Sequence, residues 1–105
     1  MHWLKNCSFH FFNFVAHFAQ EEPALAVASL DRAITLWPEY LKAVARRAAL
    51  NEQLSNLDEA LRDYNIVLQL SPGHREAGQA VFRLPPLIEE RNEKLKQEMM
   101  GEDFN

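Results

Sequence analysis

Cysteine is nearly absent from this chain of 105 residues: Cys7 stands alone. An internal disulfide and a cysteine-rich metal site are therefore excluded, and a reducing, cytoplasmic setting is expected. Glycine is also scarce, with three in all, and no glycine-rich phosphate loop, nucleophile elbow or zinc-binding helix motif is present. The chain is accordingly expected not to be an enzyme and to need no cofactor. Positive charge is in short supply too. Lys and Arg number 11 against 15 Asp and Glu, a formal net charge of −4, which leaves no strongly basic face for nucleic acid. No apolar run approaches the roughly 20 residues that cross a membrane. The stretch Phe9, Phe11, Phe12, Phe14 and Phe18 after Lys5 looks superficially like a secretion signal. His10, Asn13 and His17 interrupt it, however, and no small-x-small cleavage site precedes Glu21 and Glu22.

What the sequence does contain is a period. Shifting the chain on itself by 34 residues pairs Ala26 with Ala60, Leu30 with Tyr64, Ala33 with Val67, Ile34 with Leu68, Leu36 with Leu70 and Pro38 with Pro72. Each pair keeps its size class or nearly so, and this is the length of a tetratricopeptide helix-turn-helix unit. Ala26 and Ala60 recur where two helices must approach closely, and Tyr64 fills the gap one turn later. Leu57, Leu61, Tyr64 and Leu68 recur at helical spacing and predict one apolar stripe, with Arg62, Asp63 and Gln69 left for water. Asp58 and Glu59 fall in the first turn, at the positive end of the helix dipole, and Pro72 stops the helix. The preceding helix is expected over Tyr40–Leu54, burying Leu41, Val44, Ala48 and Leu50, with a turn at Ser55-Asn56.

One unit earlier, Ala24–Leu36 is the corresponding helix, and its partner should occupy roughly Phe9–Gln20. There Phe12 and Phe14 stand where a polar surface residue and a small packing residue are expected. Overpacking a tight contact costs about 1–3 kcal/mol, so either this helix packs differently or the segment is not native repeat sequence. Downstream, His74–Leu84 is expected to form a third helix with Ala77, Ala80, Val81 and Leu84 inward, ended by Pro85-Pro86. A separate helix then runs from Leu87 to Met100, with Ile88, Leu95 and Met99 on one stripe, a Glu90–Lys94 pair, and Gly101 as its stop. The organisation expected is an irregular or degenerate aromatic-rich helix over 1–23, repeats over 24–84, an extended capping helix over 85–100 and a frayed tail over 101–105.

The stretch YLKAVARRAALNEQLSNLDEALRDYNIVLQL from Tyr40, followed by SPGHREAGQAVFRLPPLIEERNEKLKQEMM, resembles the C-terminal part of a tetratricopeptide-repeat adaptor, over about residues 24–100. Ala48, Ala60, Tyr64 and Pro72 are shared by such repeats generally, whereas Arg83-Leu84-Pro85 with Ile88-Glu89-Glu90-Arg91-Asn92 is more particular. The resemblance implies an all-α fold of antiparallel helix pairs in a right-handed superhelical stack. Ala26, Ala33, Pro38, Ala48, Ala60, Tyr64 and Pro72 are its packing signature. It also implies a protein-binding, co-chaperone-like adaptor. Heat-shock chaperone C-terminal tails, a G-protein alpha subunit or a Ras-type GTPase are the implied partners. Members of the family carry a further repeat upstream and continue past the long helix, so truncation at both ends is expected. The rival expectation is a structural or inert fragment that self-associates, since about three repeats are normally needed for a stable stack.

By the same resemblance, Lys42 and Arg46 match the cationic pair that a groove-lining helix offers to a peptide carboxylate. Their i, i+4 spacing puts both on one face, where each can donate a charge-assisted bond. The other clamp positions do not carry over: Phe12 replaces the expected asparagine and Asn13 is one position off. A merely solvated pair is the competing reading. Arg47 points about 100° away, which suits a role covering a neighbouring helix. His10 and His17 lack further ligands at metal-binding spacing, His74 is expected in a turn, and Trp37 is expected to fill the repeat junction.

Overall fold

The computed structural model describes residues 9–11, 13–16 and 22–102. Residues 9–11 and 13–16 are helical, and four helices follow: α1 (Pro23–Leu36), α2 (Leu41–Gln53), α3 (Leu57–Leu70) and α4 (Arg75–Glu102). The 34-residue period is reproduced element by element. Helices α1 and α3 have 14 residues each and start and end at equivalent positions. In α1, Pro23 supplies a preset φ where no intrahelical N–H bond is needed. The ends are made alike as well: Trp37 precedes Pro38 and Ser71 precedes Pro72. A residue before proline is pushed out of the helical region, and both have φ of −145°. Each then donates its N–H back into the helix, Trp37 to the Ala33 carbonyl at 3.0 Å and Ser71 to that of Val67 at 2.7 Å.

The turn between α2 and α3 uses a different device. Ser55 adopts a left-handed conformation, φ 65°. Its N–H bonds the Glu52 carbonyl at 3.1 Å, and that of Asn56 reaches the Asn51 carbonyl at 2.8 Å. These two bonds form a Schellman cap, which consumes carbonyls the helix end would leave unpaired. At α4 the His74 ring takes over, its Nδ1 accepting the Ala77 N–H at 3.2 Å.

Two apolar clusters share α2 as their common wall. On one side Phe11 and Phe14 pack with Ala26, Leu30, Ala33, Ala43 and Leu50. On the other, Val44 and Ala48 meet Ala60, Tyr64 and Val67 of α3 and Ala77, Ala80 and Leu84 of α4. Ala26, Ala33, Ala48 and Ala60 are completely buried, which is what close approach of helix backbones requires. The overpacking expected from Phe14 is relieved in a specific way: the ring sits in a cluster whose other members include three alanines, Ala26, Ala33 and Ala43. Phe12 and His17 lie outside the described residues. Pro38 and Pro72 are exposed in the turns.

Two sequence expectations are overturned. Pro85-Pro86 does not end a helix; α4 is a single helix of 28 residues that runs through both prolines and ends at Glu102, one residue past the stop expected at Gly101. An interior proline removes a helix hydrogen bond and costs about 3 kcal/mol. Contacts on both sides of the pair offset that cost. Leu84 is fully buried and Ile88 packs on the same cluster, Arg83 is bonded to Glu52, and Arg91 reaches Asp58 at 2.7 Å. Asp58 thus draws its partner from Arg91, and no Glu90–Lys94 ion pair forms among the described residues. The second correction is Asp63, expected in water but only 3% exposed. Its carboxylate receives the Arg47 guanidinium twice, Nε to Oδ2 at 2.9 Å and Nη2 to Oδ1 at 2.8 Å.

Candidate functional site

The groove-lining helix is α2. It stands between the helical residues 9–11 and 13–16 on one side and the start of α4 on the other, and its outward face carries Lys42, Arg46, Ala49 and Gln53, all exposed. On one flank of this face is a cleft of ≈ 430 Å³ walled by Phe11, Phe14, Val15, Ala49 and Leu50, with Lys42 and Arg46 at its edge. On the other is a cleft of ≈ 290 Å³ in which Lys42 and Arg46 face His74 and Glu76. The two cations therefore form a ridge shared by both clefts. Lys42 Nζ lies 5.0 Å from the centre of the Phe11 ring, within cation–π range. Among the described residues neither Lys42 nor Arg46 makes an ion pair. Both are left with donor capacity directed at solvent.

The rest of the polar machinery holds the helices that present this ridge. Arg47 bridges three of them: besides Asp63 of α3 it bonds Asp31 of α1 at 2.8 Å. Burial works against its charge, but the hydrogen bonds and attraction of Asp63 and Asp31 outweigh burial and hold the guanidinium pKa above its usual value. Asn51, also buried, donates to Asp63 Oδ2 at 3.4 Å. At the junction of α2, α3 and α4, the Tyr64 hydroxyl donates to Glu52 Oε1 at 3.0 Å, and Arg83 bonds the same carboxylate. The Arg83 hydrogen bond, aided by Tyr64, holds Glu52 below the ordinary carboxylate range against the effect of burial. Desolvation, with the Glu52 charge beside it, pushes the Tyr64 phenol up to about 12.

The structure thus brings Lys42 and Arg46 together and turns Arg47 away from them into the helix interface. Trp37 stacks on Tyr40 at the first repeat junction, ring centres 5.0 Å apart. Tyr40 in turn lies 5.7 Å from Phe11, which extends the aromatic wall of the larger cleft. Sequence reasoning missed that wall, because Phe11 was read only as part of a signal-like aromatic run and Phe14 was otherwise set only against the packing pattern. No group of metal-ligating residues is found among the described residues, and none of their helices is long and apolar enough to cross a membrane.

No protein-family model matches the chain. Serine/threonine-protein phosphatase T of Aspergillus oryzae is 39% identical over 62 residues, covering 59% of this chain and 13% of that protein. The chain therefore spans about an eighth of the length of this relative. Among solved structures, the first tetratricopeptide domain of Spaghetti (RPAP3) bound to the HSP90 peptide SRMEEVD superposes with a TM-score of 0.72. It is 30% identical, covering 79% of this chain and 66% of that one. The first such domain of human RPAP3 gives a TM-score of 0.73 at 28% identity, covering 84% and 69%. With its repeated helix pairs and a groove along α2, the chain has the all-helical tetratricopeptide-repeat fold, similar to the first such domain of RPAP3.

Proposed function

We propose that this domain acts as a non-enzymatic cytoplasmic adaptor that receives the acidic C-terminal tail of a heat-shock chaperone in the groove along α2. The observation that carries this reading is the ridge itself: two cations one helical turn apart, without ion-pair partners among the described residues, beside an apolar cleft. A carboxylate seated between Lys42 and Arg46 gains two charge-assisted bonds, each worth more than a neutral one. The likeness to a domain solved with the peptide SRMEEVD supports the choice of ligand. The run from Arg83 to Asn92 also resembles the C-terminal part of tetratricopeptide repeat protein 1. By that resemblance, a G-protein alpha subunit and a Ras-type GTPase are secondary candidates as partners.

Fluorescence anisotropy of labelled SRMEEVD against the chain tests the proposal. Saturable binding is expected, weakened at least about tenfold in a Lys42→Ala/Arg46→Ala variant, since tenfold matches the loss of just one charge-assisted bond at the weak end of its range. Unchanged affinity in that variant would reject the assignment of the two residues. A second reading, self-association of the short stack, draws on the exposure of Phe9 at 61% and Phe82 at 82%. It predicts a melting temperature that rises with protein concentration, whereas a monomeric module melts independently of it.

A further inference from the structure

We infer that the far half of α4 is a self-recognition surface, on which the same helix of a second copy of this chain lies antiparallel. This is independent of what the α2 groove binds. Beyond the bond from Arg91 to Asp58, every residue from 92 to 100 is exposed. A helical end of that length without packing is marginal in water, and this one carries large apolar side chains: Leu95 is 50% exposed and Met99 72%. Ile88, half-buried at the edge of the core cluster, precedes them on the same side. Ile88, Asn92, Leu95 and Met99 recur at spacings of four, three and four, which is the seam of a two-stranded coiled coil. Phe82 lies about 120° round the helix from Ile88 and is no part of this seam.

The charges beside the seam say what covers it. Glu89 and Lys96 flank one side, and Arg91 and Glu98 the other. An antiparallel pair sets Leu95 against the partner's Asn92 and Met99 against the partner's Ile88. Glu89 then falls beside the partner's Lys96, and Arg91 beside the partner's Glu98. The two-fold axis repeats both contacts, so all four flanking pairs are of opposite sign. A parallel pair instead brings Arg91 against the partner's Lys96 twice. It would also set Asn92 on its own counterpart, a pairing that favours the parallel orientation. Here, however, Asn92 Oδ1 already accepts from Arg91 Nη2 at 3.0 Å. Arg91 Nη1 makes no bond among the described residues and is left for the partner's carboxylate. A seam this short makes a weak, transient dimer. Leu95 stands about 28 Å along the helix from Glu76 at the groove, so the pairing leaves both grooves open and the dimer bivalent.

Sedimentation velocity of the full chain, from micromolar to near-millimolar concentration, tests the inference. The unaltered chain is expected to shift from monomer to dimer over that range. Lys96→Glu turns both Glu89 contacts repulsive and should weaken the dimer about three- to tenfold, while Glu89→Lys/Lys96→Glu should restore it to within about twofold. Lys94→Glu makes the same change in net charge away from the seam and should leave association unaltered. Leu95→Asp, at an exposed position, should abolish it, with circular dichroism reporting that the fold is kept; the charge variants decide the matter should that helix fray. The inference is overturned if the unaltered chain stays monomeric throughout, or if association survives Leu95→Asp. It is equally overturned if Lys96→Glu fails to weaken the dimer or tightens it, as a parallel pair requires, if the double variant is not restored, or if Lys94→Glu weakens it as much as Lys96→Glu.

Discussion

Replacing Arg47 by methionine keeps most of the stem's packing and removes the charge that ties α1, α2 and α3 together. The carboxylate left behind is the decisive quantity, because the Asp63 side chain is only 4% exposed and loses two bonds of 2.8 and 2.9 Å at once. Stranding a buried charge in this way costs about 3–5 kcal/mol. Asn51 remains as a donor at 3.4 Å, so the lower end, about 3 kcal/mol, is expected. The Asp31 arm is different in kind: that side chain is 53% exposed, and Asp31→Ala should cost no more than about 1 kcal/mol. Urea unfolding followed by helical circular dichroism measures both. With an m-value of about 1–3 kcal/mol/M, Arg47→Met should lower the midpoint by about 1–3 M. The double variant Arg47→Met/Asp63→Leu removes the stranded charge and should recover to within roughly 1 kcal/mol of the parent. The reasoning fails if Arg47→Met costs less than about 1 kcal/mol, or if the double variant is no more stable than the single one.

Three further outcomes follow from the same contacts. Ser55→Gly should raise stability by about 0.5–1 kcal/mol in the same urea assay, since a left-handed serine carries a steric cost of about 1–2 kcal/mol that glycine escapes at some entropic expense. Pro85→Ala and Pro86→Ala should each stabilise by roughly 1–3 kcal/mol, because each restores a donor to the middle of α4; a loss of stability would mean that the rings pack favourably. Stability should also fall at both ends of the pH scale. Glu52 has a depressed pKa in the fold, so its contribution is present above the ordinary value of 4.5 and is lost as pH falls through the lower folded value. Tyr64 is raised from 10.0 to about 12, so its contribution is complete below 10.0 and disappears as pH climbs to about 12. Urea midpoints across pH, in Glu52→Gln and Tyr64→Phe variants, should lose the acid and alkaline components respectively.

The repeat was legible because it is written in side-chain size at a fixed interval. Ala26 and Ala60 occupy the same place in helices of equal length, and Pro38 and Pro72 fix the turns through the residue before them. Asp63 was misread because its partner is 16 residues away on another helix, a separation that local periodicity does not register. A signal was nevertheless there, since Asp63 lies three residues after Ala60 and four before Val67, inside the buried arc. The continuous α4 was illegible for a related reason. Proline's local preference to end a helix is outweighed only by contacts of Leu84, Ile88, Arg83 and Arg91 with α2 and α3, which exist only once the stack has formed. For the groove, helical spacing alone put Lys42 and Arg46 on one face. Their clefts depend on Phe11, Phe14 and Glu76 arriving from other segments.

The account stands most directly on a titration of the isotope-labelled chain with SRMEEVD, followed by amide chemical shifts. Perturbations confined to Lys42, Arg46, Ala49, Val15 and Glu76, the residues around the two clefts, are the predicted result. Perturbations centred instead on Arg62 and Glu59, on the face where Arg47 and Asp63 meet, or none at all at saturating peptide, would contradict it.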